Sequence, residues 1–211
     1  MKITGKRSHS SRLWLHRQQK DPYVLQAREE GYRSRAVFKL MEIDDRFHLI
    51  KNAGFMVDLG SAPGSWSQLL AQRSGENAKI AAIDLLNFPA ISGVENFLGD
   101  FEDEDNQAKM MKYLGQKADL VISDVAPPTS GHAPTDHLRQ MNLARGAYFF
   151  AQNALGEGGA FVTKVFQGGE EAEFLRDLKK SFKSARFFKP KSSRSMSVEI
   201  YVVAIGFKEC S

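Results

Sequence analysis

The 211-residue chain holds one cysteine, Cys210, beside its C-terminus. That excludes an intrachain disulfide and a cysteine-based metal cluster. No apolar stretch approaches the ~20 residues that a membrane-crossing helix needs, and no charged, then apolar, then small-residue leader opens the chain. A soluble, unexported, cytoplasmic protein is therefore expected. The five histidines, His9, His16, His48, His132 and His137, show no H-E-x-x-H or other ligand spacing, so no metal is expected. The opening "MKITGKRSHSSRLWLHRQQ" lacks acids and is rich in Arg and Ser, as mitochondrial transit peptides are. Composition alone leaves that reading open.

Net charge is only +4, but its distribution is uneven. Residues 1–35 carry nine Lys/Arg against three acids, residues 176–194 carry eight against one, and residues 36–175 carry eleven against nineteen. Basic ends flanking an acidic middle suit a polyanion, because cationic side chains that displace condensed counterions are what bind a phosphate backbone. Arg33 and Arg35 fall in the first cluster and are expected to contact RNA phosphates. Trp14, His16, Tyr23 and Tyr32 lie among the same basic residues, where their rings can stack on bases or anchor the core.

From Ser34 onward, strand and helix patterns alternate. "SRAVFKLMEIDDRF" has Ser34 in N-cap position before a helical apolar stripe. "FMVDLG", "KIAAIDLL", "VENFLGDF", "ADLVISDVAPP", "GAFVTKVF", "SARFFKP" and "SVEIYVVAIGF" read as seven strands, the fourth ending at Pro127. "SWSQLLAQRS", "DEDNQAKMMKYLG", "DHLRQMNLARGAYFFAQNAL" (closed by Gly156) and "EEAEFLRDLKKSF" read as helices between them. This alternation predicts right-handed βαβ crossovers in one α/β domain with a mainly parallel sheet. The last two strands have no helix between them, so at least one is expected to run antiparallel.

"MVDLGSAPGSW" ends the first strand at Asp58 and turns through Gly60 and Gly64, the place where doubly wound folds bind nucleotide-like ligands. The turn is not a dinucleotide fingerprint, since Ala62 and Ser65 stand where G-x-G-x-x-G needs glycine. Asp84, closing the second strand, can accept hydrogen bonds from both hydroxyls of a ribose. Asp100, closing the third, can meet an adenine amino group. An adenosine without phosphates fits the set, and S-adenosylmethionine is such a ligand. Taken singly, each aspartate also fits an ordinary strand-end turn.

Lys164 sits inside the apolar run "GAFVTKVFQGG", where a strand buried on both faces is expected. Snorkelling of its charge to water from the strand's end would explain it blandly.

Six blocks, "KRSHSSRLWL", "DPYVLQAREEGYRSRAVFKL", "VDLGSAPGSWSQ", "SDVAPPTSG", "FVTKVFQG" and "KPKSSRSMSVEIYVVA", together resemble the FtsJ (RrmJ) family of ribose 2'-O-methyltransferases acting on bacterial large-subunit ribosomal RNA. The resemblance spans almost the whole chain, including residues 1–35, which argues against a removable transit peptide. It implies a Rossmann-like methyltransferase fold in a single domain, 1–211, with residues 1–35 as a basic RNA-binding segment packed on it. It further implies a catalytic tetrad at Lys39, Asp124, Lys164 and Glu199, and S-adenosylmethionine contacts at Gly64, Trp66, Asp84, Asp100 and Asp124. The implied substrate is a uridine in the A loop of 23S ribosomal RNA, met in the large subunit by a monomer without DNA or membrane. Transfer RNA, an mRNA cap, and a non-catalytic assembly role are the alternatives. This chain has S-A-P-G-S-W where the family favours A-A-P-G-G-W.

A ribose hydroxyl is a poor nucleophile until its proton is removed. A lysine, ordinarily near 10.4, must have its pKa brought down by roughly three to act as base near neutrality, a cost of about 4 kcal/mol. Lys164 is expected to be that base or the group that orients the hydroxyl, with Asp124 and Glu199 positioning it. Lys39 is expected to tune the site or grip RNA.

Overall fold

The described chain, residues 21–194 and 196–209 of a computed structural model, begins with a helix that the alternation of elements did not predict. Asp21 accepts a hydrogen bond from the Tyr23 backbone N–H at 3.1 Å, and Pro22 occupies the first turn of α1 (Pro22–Glu29). Both are ordinary helix-start signals. Trp14, His16 and most of the N-terminal basic segment lie outside the described residues. Helix α2 (Val37–Phe47) follows, but Ser34 does not cap it: Ala36 holds the cap position, and the Ser34 hydroxyl pairs with Ser65 Oγ at 2.8 Å.

The alternating elements then run as expected: β1 (Phe55–Leu59), α3 (Ser65–Arg73), β2 (Lys79–Asp84), β3 (Val94–Leu98), α4 (Glu104–Leu114), β4 (Ala118–Ser123), α5 (Ala133–Ala154), β5 (Leu155–Phe166), α6 (Glu171–Ser181), β6 (Phe182–Phe188) and β7 (Glu199–Phe207). Several boundaries differ; β3, for one, stops at Leu98, so Asp100 lies two residues past its end. Strand β4 stops at Ser123, and the chain reaches Pro127 in a loop. Helix α5 starts with Pro134 in its first turn and passes straight into β5 at Leu155, so Gly156 lies in the strand.

The sheet has the order β3-β2-β1-β4-β5-β7-β6. Strand β7 pairs antiparallel with both β5 and β6, which leaves β6 parallel to the rest. One antiparallel strand near the C-terminus is thus what the missing helix foretold. Apolar residues on α4, α5 and α6 (Met110, Ala147, Phe174 among them) cover one face of the sheet. Those on α2 and α3 (Leu40, Ile43, Trp66, Leu70) cover the other.

Register brings the chemistry to one edge. Leu59 pairs with Ile83 and with Ser123, and Ser123 pairs with Thr163. The next residues along, Gly60, Asp84, Asp124 and Lys164, therefore emerge side by side at the carboxyl ends of the parallel strands. Lys164 pairs with Tyr201, and Phe166 with Glu199, so the start of β7 meets the same edge.

Trp66 locks α3 to the entry of α2: its indole N–H donates to the Ala36 carbonyl at 2.7 Å, and its ring lies 5.7 Å from that of Tyr201. Trp66→Phe should remove that bond and lower the unfolding free energy by about 1–3 kcal/mol. An unchanged urea midpoint with an unchanged slope would contradict this role.

Candidate active site

Lys164 does not snorkel. Its side chain is 6% exposed, and its Nζ donates to the Asp124 backbone carbonyl at 2.6 Å and to Asp124 Oδ1 at 2.9 Å. The Tyr201 hydroxyl also approaches that carboxylate, at 2.7 Å from Oδ1, and lies 3.0 Å from Glu199 Oε1. A phenol has one proton, so the two carboxylates share it. Glu199 in turn forms an ion pair with Lys39, whose ammonium sits 5.8 Å from the centre of the Tyr201 ring. The four tetrad residues are thus brought together, and Tyr201 links their two halves. The resulting chain runs Lys39, Glu199, Tyr201, Asp124, Lys164.

The electrostatics follow from this order. Burial pushes the Asp124 carboxyl up, but the charges of Lys164 and Lys39 and the bonds from Tyr201 and Lys164 outweigh it and hold the group below the usual range. Tyr201 is buried between two carboxylates, and its hydroxyl is pushed well above its ordinary value. It therefore stays a neutral phenol at any working pH. Tyr201 was not among the sequence candidates. The available signal was its place two residues after Glu199, on the same face of a strand.

On one side of this chain lies a cavity of about 500 Å³ lined by Gly60, Ala62, Asp84, Leu86, Asp100 and Asp124 among others. The two oxygens of Asp84 accept the Ala62 and Leu86 backbone N–H groups at 2.9 and 2.8 Å, which fixes the cavity's lip. Asp100 is exposed and accepts from the Glu102 N–H at 2.9 Å. Gly60 has φ +73°, and a Cβ there would lie 2.2 Å from the Val125 side chain, so only glycine lets the first turn close against the loop after β4. Gly64 and Trp66 are not in the lining. Gly64 is buried against Arg33, Phe88 and Ile91, and the Trp66 ring faces the core.

On the other side, Arg35, Ala36, Lys39, Arg194, Ser197 and Glu199 enclose a second, smaller cleft of about 230 Å³. Glu42 holds the loop between β6 and β7 in place by accepting the Lys191 and Ser192 N–H groups at 2.6 and 2.8 Å. The basic run 176–194 is therefore not one patch. Lys189, Lys191 and Arg194 follow β6 at the site's edge of the sheet, whereas Lys179, Lys180 and Lys183 lie where α6 ends and β6 begins, at the opposite edge. Two arginines of the N-terminal cluster, Arg33 and Arg35, also have protein partners. Arg35 bonds Asp21 and the Ser192 carbonyl, and Arg33 donates to the carbonyls of Pro63, Pro89 and Ala90.

Residues 32–207 match the FtsJ-like methyltransferase family. The chain is 49% identical over 208 residues to ribosomal RNA large subunit methyltransferase E of Granulibacter bethesdensis, covering 99% of this chain and 90% of that one. It is 50% identical over 211 residues to the enzyme of the same name from Bradyrhizobium diazoefficiens, covering 99% and 92%. Among solved structures it resembles a Plasmodium falciparum protein described as a ribosomal RNA methyltransferase, with TM-score 0.74 at 31% identity over 83% of this chain and 98% of the other. A Streptococcus mutans protein crystallised with S-adenosylhomocysteine shares the fold, with TM-score 0.52 at 15% identity over 79% and 97%.

One buried acid stands apart from the tetrad. Asp58, at the end of β1, is 1% exposed; Ser67 Oγ donates to its Oδ2 at 2.5 Å, while Oδ1 has no partner among the described residues. Burial, reinforced by the charges of Asp124 and Asp84 and opposed by the Ser67 bond, pushes its carboxyl up to about 7. The folded state thus holds a proton that the unfolded chain loses near pH 3.9, and stability from this group falls as pH rises from about 4 to about 7. Asp58→Asn should therefore gain on the wild type by up to about 4 kcal/mol between pH 4 and pH 8, read from denaturant midpoints of the ligand-free protein. An identical difference at both pH values would show that Asp58 does not titrate in this window.

Proposed function

This chain belongs to the FtsJ-like methyltransferase family, and we propose that it methylates a ribose 2'-oxygen in large-subunit ribosomal RNA, with S-adenosylmethionine as methyl donor. The carrying observation is that one chain of ionic and hydrogen-bonded side chains has Asp124 in the lining of the larger cavity and Lys39 and Glu199 in the lining of the basic cleft. A reaction between a nucleoside-like donor and a phosphate-bearing acceptor needs two such openings with a proton acceptor between them.

The cavity fits the donor. Its lining is acidic, which suits a cation; the tight turn at Gly60 lets backbone approach; and Asp84 and Asp100 stand at consecutive strand ends, where a ribose and an adenine amino group would meet them. S-adenosylmethionine supplies, when bound, a methyl group on cationic sulfur. Asp84 and Asp100 hold the nucleoside. Asp124 Oδ2, which has no hydrogen bond among the described residues, is left for a cationic group of the ligand. Gly64 and Trp66 act from outside the lining, Gly64 by admitting the tight turn and Trp66 by fixing α3 to the entry of α2.

Lys164 acts on the acceptor. Lys164 must first release the proton of its ion pair with Asp124 to solvent; Asp124 then offers the Nζ two acceptors, which match the two hydrogens of the neutral amine and leave its lone pair for a third direction. A ribose hydroxyl placed there gives its proton to Nζ as its oxygen gains the methyl group. The ammonium so formed keeps both bonds to Asp124, and they strengthen as its charge appears. Tyr201 and Glu199 hold Asp124 in place, and Lys39 holds Glu199. Arg194 and Lys39, with the basic residues of the loop after β6, receive the flanking phosphates.

The substrate is a uridine in the A loop of 23S ribosomal RNA, and the protein works as a cytoplasmic monomer. Among the described residues no helix is long and apolar enough to cross a membrane. Large subunits from a strain lacking the modification, incubated with methyl-labelled S-adenosylmethionine and digested to nucleosides, should yield labelled 2'-O-methyluridine whether or not a chelator is present. Asp84→Ala should weaken cofactor binding by calorimetry. Label on a base, or on transfer RNA in place of large-subunit RNA, would overturn the proposal.

A further inference from the structure

Arg33 sits in a basic segment, yet its guanidinium is directed inward to the protein. Nη1 donates to the carbonyls of Pro63 at 3.0 Å and Pro89 at 2.7 Å, and Nη2 to that of Ala90 at 3.0 Å. Its Cζ lies 5.8 Å from the centre of the Phe88 ring, and its own backbone N–H donates to Gln68 Oε1 at 2.9 Å. Two separate segments are thereby joined: the turn between β1 and α3, and the connection between β2 and β3.

Gly64 makes this possible. Its φ is +101°, and a Cβ there would lie 2.7 Å from Arg33 Nη1, 2.8 Å from Ile91 Cδ1 and 3.1 Å from Phe88 Cδ2. Any side chain would push the guanidinium and the β2–β3 connection away from the turn. The same two segments form the lip of the larger cavity, where Asp84 accepts from Ala62 in the turn and from Leu86 in the connection. Asp84 ties them from within the cavity and Arg33 from behind it.

We infer that Arg33 is a positioning residue for the cofactor: it clamps the β2–β3 connection onto the Pro63–Gly64 turn, so that Asp84 meets the nucleoside in a cavity already closed to the right shape. A planar guanidinium can serve carbonyls on two segments at once, which an ammonium on a flexible stem does poorly. Removing the clamp leaves the lip to be ordered on binding, at a cost in affinity. The inference rests on the larger cavity being the S-adenosylmethionine site.

The test is calorimetric titration of S-adenosylmethionine into the full chain without RNA, for wild type, Arg33→Met and Arg33→Lys, followed by steady-state kinetics with ribosomal particles at several salt concentrations. Arg33→Met should weaken cofactor binding about tenfold or more, the effect of losing hydrogen bonds from a charged donor. Cofactor KM should rise in step, kcat at saturating cofactor should stay near wild type, and the salt dependence of RNA binding should not move. Arg33→Lys should restore only part of the affinity. Unchanged cofactor affinity in Arg33→Met, with a log–log salt slope flattened by about 0.7–0.9, would make Arg33 a phosphate contact and overturn the inference. Should Arg33→Met melt below the assay temperature, Arg33→Lys decides: reduced cofactor affinity supports the clamp, and wild-type affinity refutes it. A wild-type chain that fails to bind S-adenosylmethionine would instead remove the cavity reading, and this assignment with it.

Discussion

A lysine nitrogen with almost no access to water must be solvated by protein, and in this chain Asp124 supplies both of the oxygens that do so. Leaving either partner alone in the interior would cost several kcal/mol, because an unpaired charge would remain where the surroundings cannot screen it. That requirement propagates outward. Asp124 can face Lys164 only if β4 and β5 are in the register that aligns Ser123 with Thr163. Its second partner, Tyr201, can reach it only if β7 runs antiparallel beside β5 with Tyr201 opposite Lys164.

The antiparallel strand is therefore more than a way to end the sheet. A parallel β7 would bring its carboxyl end, not its start, to the edge where β5 delivers Lys164. Run antiparallel, its first residues, Glu199 and Tyr201, arrive there instead, and the loop that precedes them carries Lys189, Lys191 and Arg194 to the same place. Glu42 and Arg35 then fasten that loop to α2 and to the chain leading into it. One topological choice supplies an acid, a phenol and a basic rim to Lys164.

The strand and helix series was legible because alternating apolar runs separated by Gly, Asp and Pro signals report directly on burial and turns. The turn at Gly60 and the acids at the ends of β2 and β3 were legible for the same reason. The tetrad came from resemblance, since nothing in spacing alone says that Lys39 on a helix will meet Glu199, 160 residues later. Tyr201 escaped because a tyrosine in an apolar strand reads as core, and its hydroxyl finds two carboxylates only once β5 and β7 pair. Arg33 and Arg35 show the limit of charge counting. A basic cluster says how many cations a segment holds, not how many carbonyls and carboxylates of the folded protein are waiting for them.

If Lys164 takes the proton of the ribose hydroxyl, the side chain at that position must be able to exist without its own proton. Single-turnover methyl transfer at saturating cofactor and ribosomal particle, with folding checked by thermal melt, compares wild type with Lys164→Arg and Lys164→Ala. A guanidinium keeps its proton at every working pH. Both variants should bind cofactor and RNA yet transfer no methyl group above background. Near-wild-type transfer by Lys164→Arg would mean that a fixed cation beside Asp124 is enough, and the proton-acceptor account would be wrong.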